Sequence, residues 1–324
     1  MSGRVALART AARLTLLAFL CAVPRLALSQ AWTPQKGSGS AGLTYEFVEA
    51  RGHYGSDGKR DPIYGARTQA AVFEFEYGFT DRLAIDFRLP YIASRYTDRT
   101  PPNTPEDLRR LFNEVLQQVK PGETIRFLDD GSYNATLQDL RTTLRYKLLD
   151  RSFVLTPFFS LTVPTHHYQS IGESSPGRDL REFQFGANVA RSLDPIAPQA
   201  YVHAQYGYSV VQRFLGFSTD HSDAHLTLGY FLTPELSARA IGSWGQVHGG
   251  LPFEEAIKTP ERNLQHEKLL KGQYWHIGGG VNYSLSPKID LHATIFNFLS
   301  GKDTHFGTGL VVGISRSFSR APRK

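Results

Sequence analysis

The stretch that decides the fold class is FGTGLVVGISRSF, residues 306–318. Its even positions carry Phe, Thr, Leu, Val, Ile, Arg and Phe, whereas its odd positions carry only Gly, Val and Ser. A period of two, with one large apolar face and one small face, is typical of a strand between lipid and a crowded interior. The stretch ends on Phe318, close to the C-terminus, where outer-membrane barrels carry their assembly signal. We therefore predict a membrane strand that the barrel assembly machinery recognises.

The N-terminus has the three parts of a secretory signal peptide. Residues 4–13 contain three arginines, residues 14–23 form an apolar core, and residues 27–29 (Ala-Leu-Ser) provide small side chains at the cleavage spacing. The apolar run is shorter than the roughly 20 residues that a spanning helix needs. We therefore predict Sec export, a signal peptide over 1–29 that is cleaved near Ser29/Gln30, and a single barrel domain over 30–324.

Removal of this signal changes the interpretation of charge and cysteine content. Residues 1–29 hold four arginines and no acidic residue, so the formal net charge falls from +6 to +2. A charge this small gives no support for nucleic-acid binding, and no nucleic-acid partner is expected. The only cysteine, Cys21, leaves with the signal, which excludes disulfides and cysteine chemistry. No cofactor is expected.

Alternating segments follow one another in pairs along the rest of the chain. Short turns rich in Gly, Asp, Ser and Pro lie near 77–82, 148–152, 192–195, 231–235 and 284–288. Longer polar connections lie near 52–63, 93–133, 165–179, 212–222 and 248–271, with a tight connection at 299–303. Short turns on one side and long loops on the other indicate an outer-membrane barrel of about 12 strands with periplasmic termini.

The alternation within these segments sets the fold prediction. In residues 83–91 the odd positions are Leu, Ile, Phe, Leu and Tyr, whereas the even positions include Asp86 and Arg88. A secreted soluble sandwich would also alternate, but aromatic residues near the strand ends favour the interfacial girdles of a membrane barrel. Because lipid cannot satisfy open backbone edges, the barrel must close. We predict an all-β, transmembrane antiparallel up-and-down β-barrel in the bacterial outer membrane, in contact with its lipids. At Pro157 a bulge or a late strand start is expected.

The long second loop contains a predicted amphipathic helix at about 104–120. Thr104-Pro105-Glu106-Asp107 has the chemistry of a helix start, and Pro121-Gly122 that of a helix end. Apolar residues recur between them at helical spacing: Leu108, Leu111, Phe112, Val115, Leu116 and Val119. Two interpretations remain open, a lid or plug over a pore and a surface helix that covers the barrel rim.

Three segments resemble a known family of outer-membrane barrels. They are residues 77–91 (YGFTDRL…LPY), residues 137–148 (LQDL…YKL) and residues 159–165 (FSLTVPT). Together they are similar to the transporter-like family labelled "MetA-pathway of phenol degradation", over roughly residues 70–318. The family often has a glycine after the Pro-Thr pair, where this chain has His166-His167. The resemblance implies passage of small aromatic or apolar solutes.

The side chains expected on the inner face are rich in titratable groups of both signs. The predicted pore-lining residues are Glu74, Glu76, Asp86, Arg88, Arg141, Arg145, Lys147, Glu182, His203, His225, Arg239, His276, Asp290 and His292, together with Glu46 and His305. One interpretation is an internal salt-bridged network that fills a narrow, closed structural barrel. The other is a polarised lumen that orients a small solute during passive passage through a channel. The residues alone do not separate the two.

The same residue types bear on metal binding and on catalysis. Five predicted inward histidines (203, 225, 276, 292 and 305) come from five strands and are interpreted as structural, so no metal site is expected. The sequence has no catalytic signature, and no catalytic residue is expected. The alternative is an outer-membrane lipid hydrolase, which needs Ser and His together on the lipid-facing surface. Its candidates are His166, His167, Ser170 and His248.

Overall fold

The chain forms a closed antiparallel barrel of twelve long strands in a computed structural model. The structure describes residues 31–62, 65–97, 105–122, 124–172 and 174–319. Each strand pairs with the next along the chain, and the last strand pairs with the first over nearly its whole length, from Ser38↔Ser319 to Tyr54↔Thr304. Within the residues that the structure describes, closure leaves no long strand with an unpaired edge, and this confirms the predicted fold class.

The strands have the following bounds: β1 Ser38–Tyr54, β2 Ala66–Gly78, β3 Leu83–Tyr96, β4 Asp139–Tyr146, β5 Val154–Pro164, β6 Glu182–Ser192, β7 Ala200–Val211, β8 His221–Phe231, β9 Leu236–Val247, β10 Gln273–Ser286, β11 Ile289–Lys302 and β12 Thr304–Ser319. Three short segments extend the ladder, with Arg60–Asp61 on β1, Asn134–Leu137 on β3 and Leu149–Asp150 on β5. The predicted strand pairs and short turns therefore match the structure.

The two faces of each strand differ as the alternation predicts. On β10, the side chains of Trp275, Ile277, Val281 and Tyr283 are exposed on the outer face, and glycines and polar residues alternate with them. The same exposed apolar row continues around the barrel on β11 and β12, with Ile295, Leu310 and Ile314 among its members. Exposing an outer surface of this kind to water would cost free energy, because the hydrophobic effect favours removing apolar area from water.

The ladder is irregular at Pro157, as predicted, although β5 does not start late. It begins at Val154 and keeps one register with β6, in which Pro157 pairs with Ala187. On its other side, pairing with β4 ends at Arg145↔Phe158 and resumes beyond a gap at Leu149↔Leu155. Residues 146–148 face only residues 156–157 across this gap, so the register shifts by one residue there. Proline lacks the backbone N–H that a ladder needs, so it is tolerated at such an irregularity.

The segment 31–37 enters the barrel at the end that carries the short turns. Ala31 is completely buried against Val154 and Ala190, two residues of the inner face, and its carbonyl accepts a hydrogen bond from Thr156 Oγ1 at 2.5 Å. Farther along, Lys36 N donates to the Asp81 carboxylate at 2.9 Å in the turn between β2 and β3. The segment therefore lies across the short-turn end of the lumen.

The long connections cover the opposite end. Helix α1, Pro105–Val119, confirms the predicted helix, although Thr104 lies outside the described residues. On α1, Leu116 is buried and the ring of Phe112 lies 5.3 Å from that of Phe127. The loop 248–272 contains α2, Phe253–Ala256, and α3, Pro260–Asn263, and α1 packs on α3. Among the described residues, no helix has both the length and the apolar character needed to cross a membrane.

Candidate functional site: the barrel lumen

The most buried charge of the inner face is Arg145 on β4. Its side chain is 3% exposed and donates through Nε to Asp86 Oδ2 at 2.6 Å and through a second nitrogen to Asp86 Oδ1 at 2.8 Å. It also pairs with Glu76 on β2. One guanidinium thus joins three neighbouring strands near their short-turn ends, in the fork geometry that makes arginine suited to carboxylates.

A second set of contacts lies nearer the middle of the barrel. Arg88 on β3 pairs with Glu46 on β1. Thr44, also on β1, donates to Glu74 Oε2 at 2.9 Å and lies 3.5 Å from His292 Nε2. Because the threonine proton goes to the carboxylate, His292 is the donor in the second contact. These bonds connect β11, β1, β2 and β3 across the seam where the barrel closes.

Arg141 continues the polar contacts around the other side. It pairs with Gln184 on β6, and Gln184 Nε2 donates to Asp223 on β8 at 2.5 Å. His225 lies 3.5 Å from Asp223 and 2.9 Å from Ser243 Oγ on β9. We call the whole set, from Arg145 through Arg88 and Glu74 to Arg141 and His225, the polar belt. It surrounds most of the lumen.

The remaining predicted residues lie beside this belt or near the strand ends. His203 contacts Asn188 Oδ1 at 3.1 Å, and Arg239 donates to Thr294 at 2.7 Å. Glu182 accepts from Ser209 at 2.8 Å near the long-loop end, and Asp290 accepts from Ser284 at 2.6 Å near the short-turn end. Lys147 lies past the end of β4 and pairs with Asp150 at 2.6 Å, so it belongs to a turn. A pore-lining role for any of them stays a prediction.

The opposite part of the inner face is aromatic. On β10, the rings of Tyr274 and His276 stack with centroids 4.5 Å apart, and His276 lies 4.0 Å from Phe298 and 5.5 Å from Phe296 on β11. We call these four rings the aromatic cluster. It lies in the long-loop half of the lumen, and of its four members only His276 was predicted to face inward.

Glycines of the neighbouring strands make room for these rings. A Cβ added at Gly309 on β12 would lie 2.1 Å from the ring of Phe296, and one at Gly245 on β9 would lie 2.3 Å from the ring of Tyr274. Gly313 makes room for His292 in the same way, at 2.5 Å. Gly309 and Gly313 of the deciding stretch thus leave space for rings from β11, because only a residue without a side chain leaves that space.

The residues considered for lipid hydrolysis do not form an accessible catalytic group. His248 Nε2 lies 2.7 Å from Ser222 Oγ on the outer face of β8, but Tyr206 OH also contacts this hydroxyl at 2.9 Å. Ser222 is 1% exposed, so a lipid ester cannot reach its oxygen in this arrangement. His166 contacts Thr136 Oγ1 at 2.9 Å, and His167 contacts Asp179 Oδ2 at 3.3 Å.

Several solved structures are similar to this chain. The COG4313 outer membrane channel from Pseudomonas putida F1 is similar at a TM-score of 0.65 and 13% identity, covering 90% of this chain and 99% of that chain. The translocator domain of autotransporter NalP from Neisseria meningitidis has a TM-score of 0.49 at 11% identity, covering 96% and 98%. The P. putida toluene transporter TodX has a TM-score of 0.42 at 12% identity, covering 90% and 92%.

Comparison by sequence gives nothing further: no protein-family model matches the chain, and neither does any curated protein. At 13% identity, the likeness to the Pseudomonas channel shows the fold alone. This chain folds as a closed barrel of the outer-membrane type.

Proposed function

We propose that this protein is an outer-membrane channel for the passive passage of small solutes, exported with the signal peptide predicted over 1–29. The observation that carries the proposal is the difference in polarity between the outer and inner faces of the barrel. The outer face is apolar, with side chains such as Ile277 and Ile295 more than half exposed, whereas the inner face carries the polar belt. A protein with this inverted distribution is stable in lipid, where its polar groups line an interior path.

The inner face also suggests what kind of solute would pass. The polar belt is strongest at Arg145 and Arg141 on β4, and the aromatic cluster lies on β10 and β11, about halfway around the barrel. A small aromatic molecule with one polar or anionic group could contact rings with one end and guanidinium groups with the other. No family model confirms the resemblance to the phenol-degradation family, but the small aromatic or apolar solutes that it implies agree with the aromatic part of this proposal.

Segments of the chain lie across both ends of the lumen, and we propose that they control passage. Residues 31–37 cross the short-turn end, and the loop 248–272 together with α1 covers the long-loop end. Covering segments of this kind restrict conductance while leaving the barrel ladder intact. We therefore propose a channel of small conductance, with no catalytic step.

The assembly machinery and membrane lipids are the partners that the proposal needs. Phe318, which ends the deciding stretch, is exposed on the outer face, and its ring lies 5.9 Å from that of Phe75. Fractionation tests this location: the protein should be recovered with outer membranes and, unheated in detergent, should migrate faster on a gel than the boiled form. Recovery in the soluble periplasm without a heat-dependent shift would contradict it.

Planar bilayers test the conduit itself. The wild-type protein should give small conductance steps, and deletion of residues 31–36 should enlarge them because this segment crosses the lumen. Uptake of small aromatic acids into proteoliposomes should rise in parallel. If the deletion variant is correctly inserted but electrically silent and impermeable, the barrel is a closed structural one.

A further inference from the structure

The mouth of the barrel at the long-loop end holds a histidine and carboxylate cluster outside the polar belt. His53 on β1 and His305 on β12 are cross-strand partners at the barrel seam, with ring centroids 3.9 Å apart. Glu267 approaches this pair from the loop 248–272. One ligand atom from each of the three residues lies within 4.8 Å of the other two.

A third imidazole lies beside this cluster. The Nδ1 of His266 lies 2.8 Å from the carbonyl oxygen of Asn263, which only accepts, so Nδ1 carries a proton. Its other nitrogen, Nε2, lies 3.4 Å from Glu267 Oε1. The carboxylate of Glu267 therefore faces imidazoles from its own loop as well as from the barrel seam.

We propose that His53, His305 and Glu267 bind a divalent transition-metal ion, with Zn²⁺ as the probe. Two imidazoles and one carboxylate are donors that suit Zn²⁺ and its first-row neighbours, whereas Ca²⁺ and Mg²⁺ prefer oxygen ligands. Zn²⁺ holds such ligands at about 2.0–2.2 Å, so the side chains close inward by roughly 1 Å around the ion, and His266 lies beside them as a further nitrogen.

The surroundings hold these ligands in place. Ala256, Leu269 and Leu270 form a small apolar core within the loop 248–272. Phe253 N donates to Asp303 Oδ1 at 2.9 Å, next to the turn between β11 and β12, and the Phe253 ring lies 5.6 Å from His53. An apolar ring and a fixed loop around the donors limit water access and preorganise a site. The ion would fasten the loop to the β1–β12 seam.

The test is direct Zn²⁺ binding to the full mature chain, purified in detergent without a histidine tag and stripped with a chelator. We expect one equivalent to bind, and we expect the unfolding temperature to rise with Zn²⁺. His305→Gln and Glu267→Gln should each weaken binding by at least about tenfold and abolish the temperature rise. The control is His167→Gln, because His167 is fully exposed on another loop.

Two outcomes would overturn the proposal. In the first, the wild-type protein takes up no Zn²⁺; in the second, the Gln variants bind Zn²⁺ as tightly as the wild type does. Glu267 lies outside the barrel ladder, so Glu267→Gln still tests the proposal if His305→Gln does not fold. The heat-dependent gel shift shows whether each variant is folded. Co²⁺ gives a second measurement, since a site with two imidazoles should produce visible absorption that both variants lose. Binding is measured without transport, so it is independent of the channel function.

Discussion

The wall formed by β2–β4 and the wall formed by β10–β12 belong to one barrel but fill its interior with different chemistry. The first is occupied by ion pairs around Arg145, and the second by rings such as Phe296 that lie over glycines. Ion pairs depend on every partner being present, because a buried charge left alone is costly. Rings over glycines depend on the absence of a side chain. The same substitution to alanine should therefore harm the two walls for opposite reasons.

The largest effect is expected at Arg145. Arg145→Ala leaves Glu76 and Asp86 facing each other without their shared cation, and should lower the free energy of unfolding by about 3–5 kcal/mol. Urea unfolding in detergent or liposomes measures this. Arg88→Ala is the matched control, since the Arg88 side chain is 45% exposed and should cost about 1 kcal/mol or less. Adding Glu76→Gln to Arg145→Ala should restore part of the lost stability. If Arg145→Ala and Arg88→Ala lower the free energy of unfolding equally, the difference between a buried and an exposed ion pair is refuted.

On the aromatic wall, Gly309→Ala should be the damaging change. Its new Cβ would lie 2.1 Å from the ring of Phe296, so the ring must move, at a cost of about 1–3 kcal/mol. Gly242→Ala is the control, because a Cβ there meets no atom within 4 Å. Adding Phe296→Leu to Gly309→Ala should recover stability. The explanation fails if Gly309→Ala unfolds at the same urea concentration as wild type.

Ion selectivity gives a smaller and more specific readout of the charged wall. Arg141→Gln removes one positive charge from the polar belt and keeps a side chain that can bond Gln184. The cation-to-anion permeability ratio should rise on the order of twofold, as expected for a charge that lines the path. Reversal potentials in a salt gradient measure this ratio, with Arg316→Gln on the outer face as the control. An unchanged ratio would mean that ions do not pass Arg141.

The smallest effect on stability is expected from deletion of 105–122. Helix α1 packs on α3 and on Phe127, outside the strand ladder, so the free energy of unfolding should change by about 0.5 kcal/mol or less. If α1 helps to close the long-loop end, conductance should increase, because it supports the loop 248–272. An intact barrel with unchanged conductance would identify α1 as rim packing.

Much of this fold could be predicted from the sequence because its signals are local. Alternation assigned strands such as β3 and β12, and turn chemistry placed the connections between them. The irregular pairing at Pro157 was predictable in the same way, although the local rule did not say which neighbouring strand would lose its pairing, and it is β4. Alternation predicted which residues lie on the inner face, but it did not predict which of them contact each other. Arg141, for example, reaches Gln184 across β5.

The sequence by itself determined the barrel, since a period of two with lipid on one side admits no other closed arrangement of the backbone. It also determined which residues face inward. Only the tertiary structure decided which of them meet. His305 joins His53 because closure pairs β12 with β1 and a bulge between Ala50 and Gly52 adjusts the register. Glu267 joins them because a folded loop turns back over the mouth. Such contacts depend on strand register and loop conformation. These join residues that are far apart in the sequence and produce no periodic pattern in it.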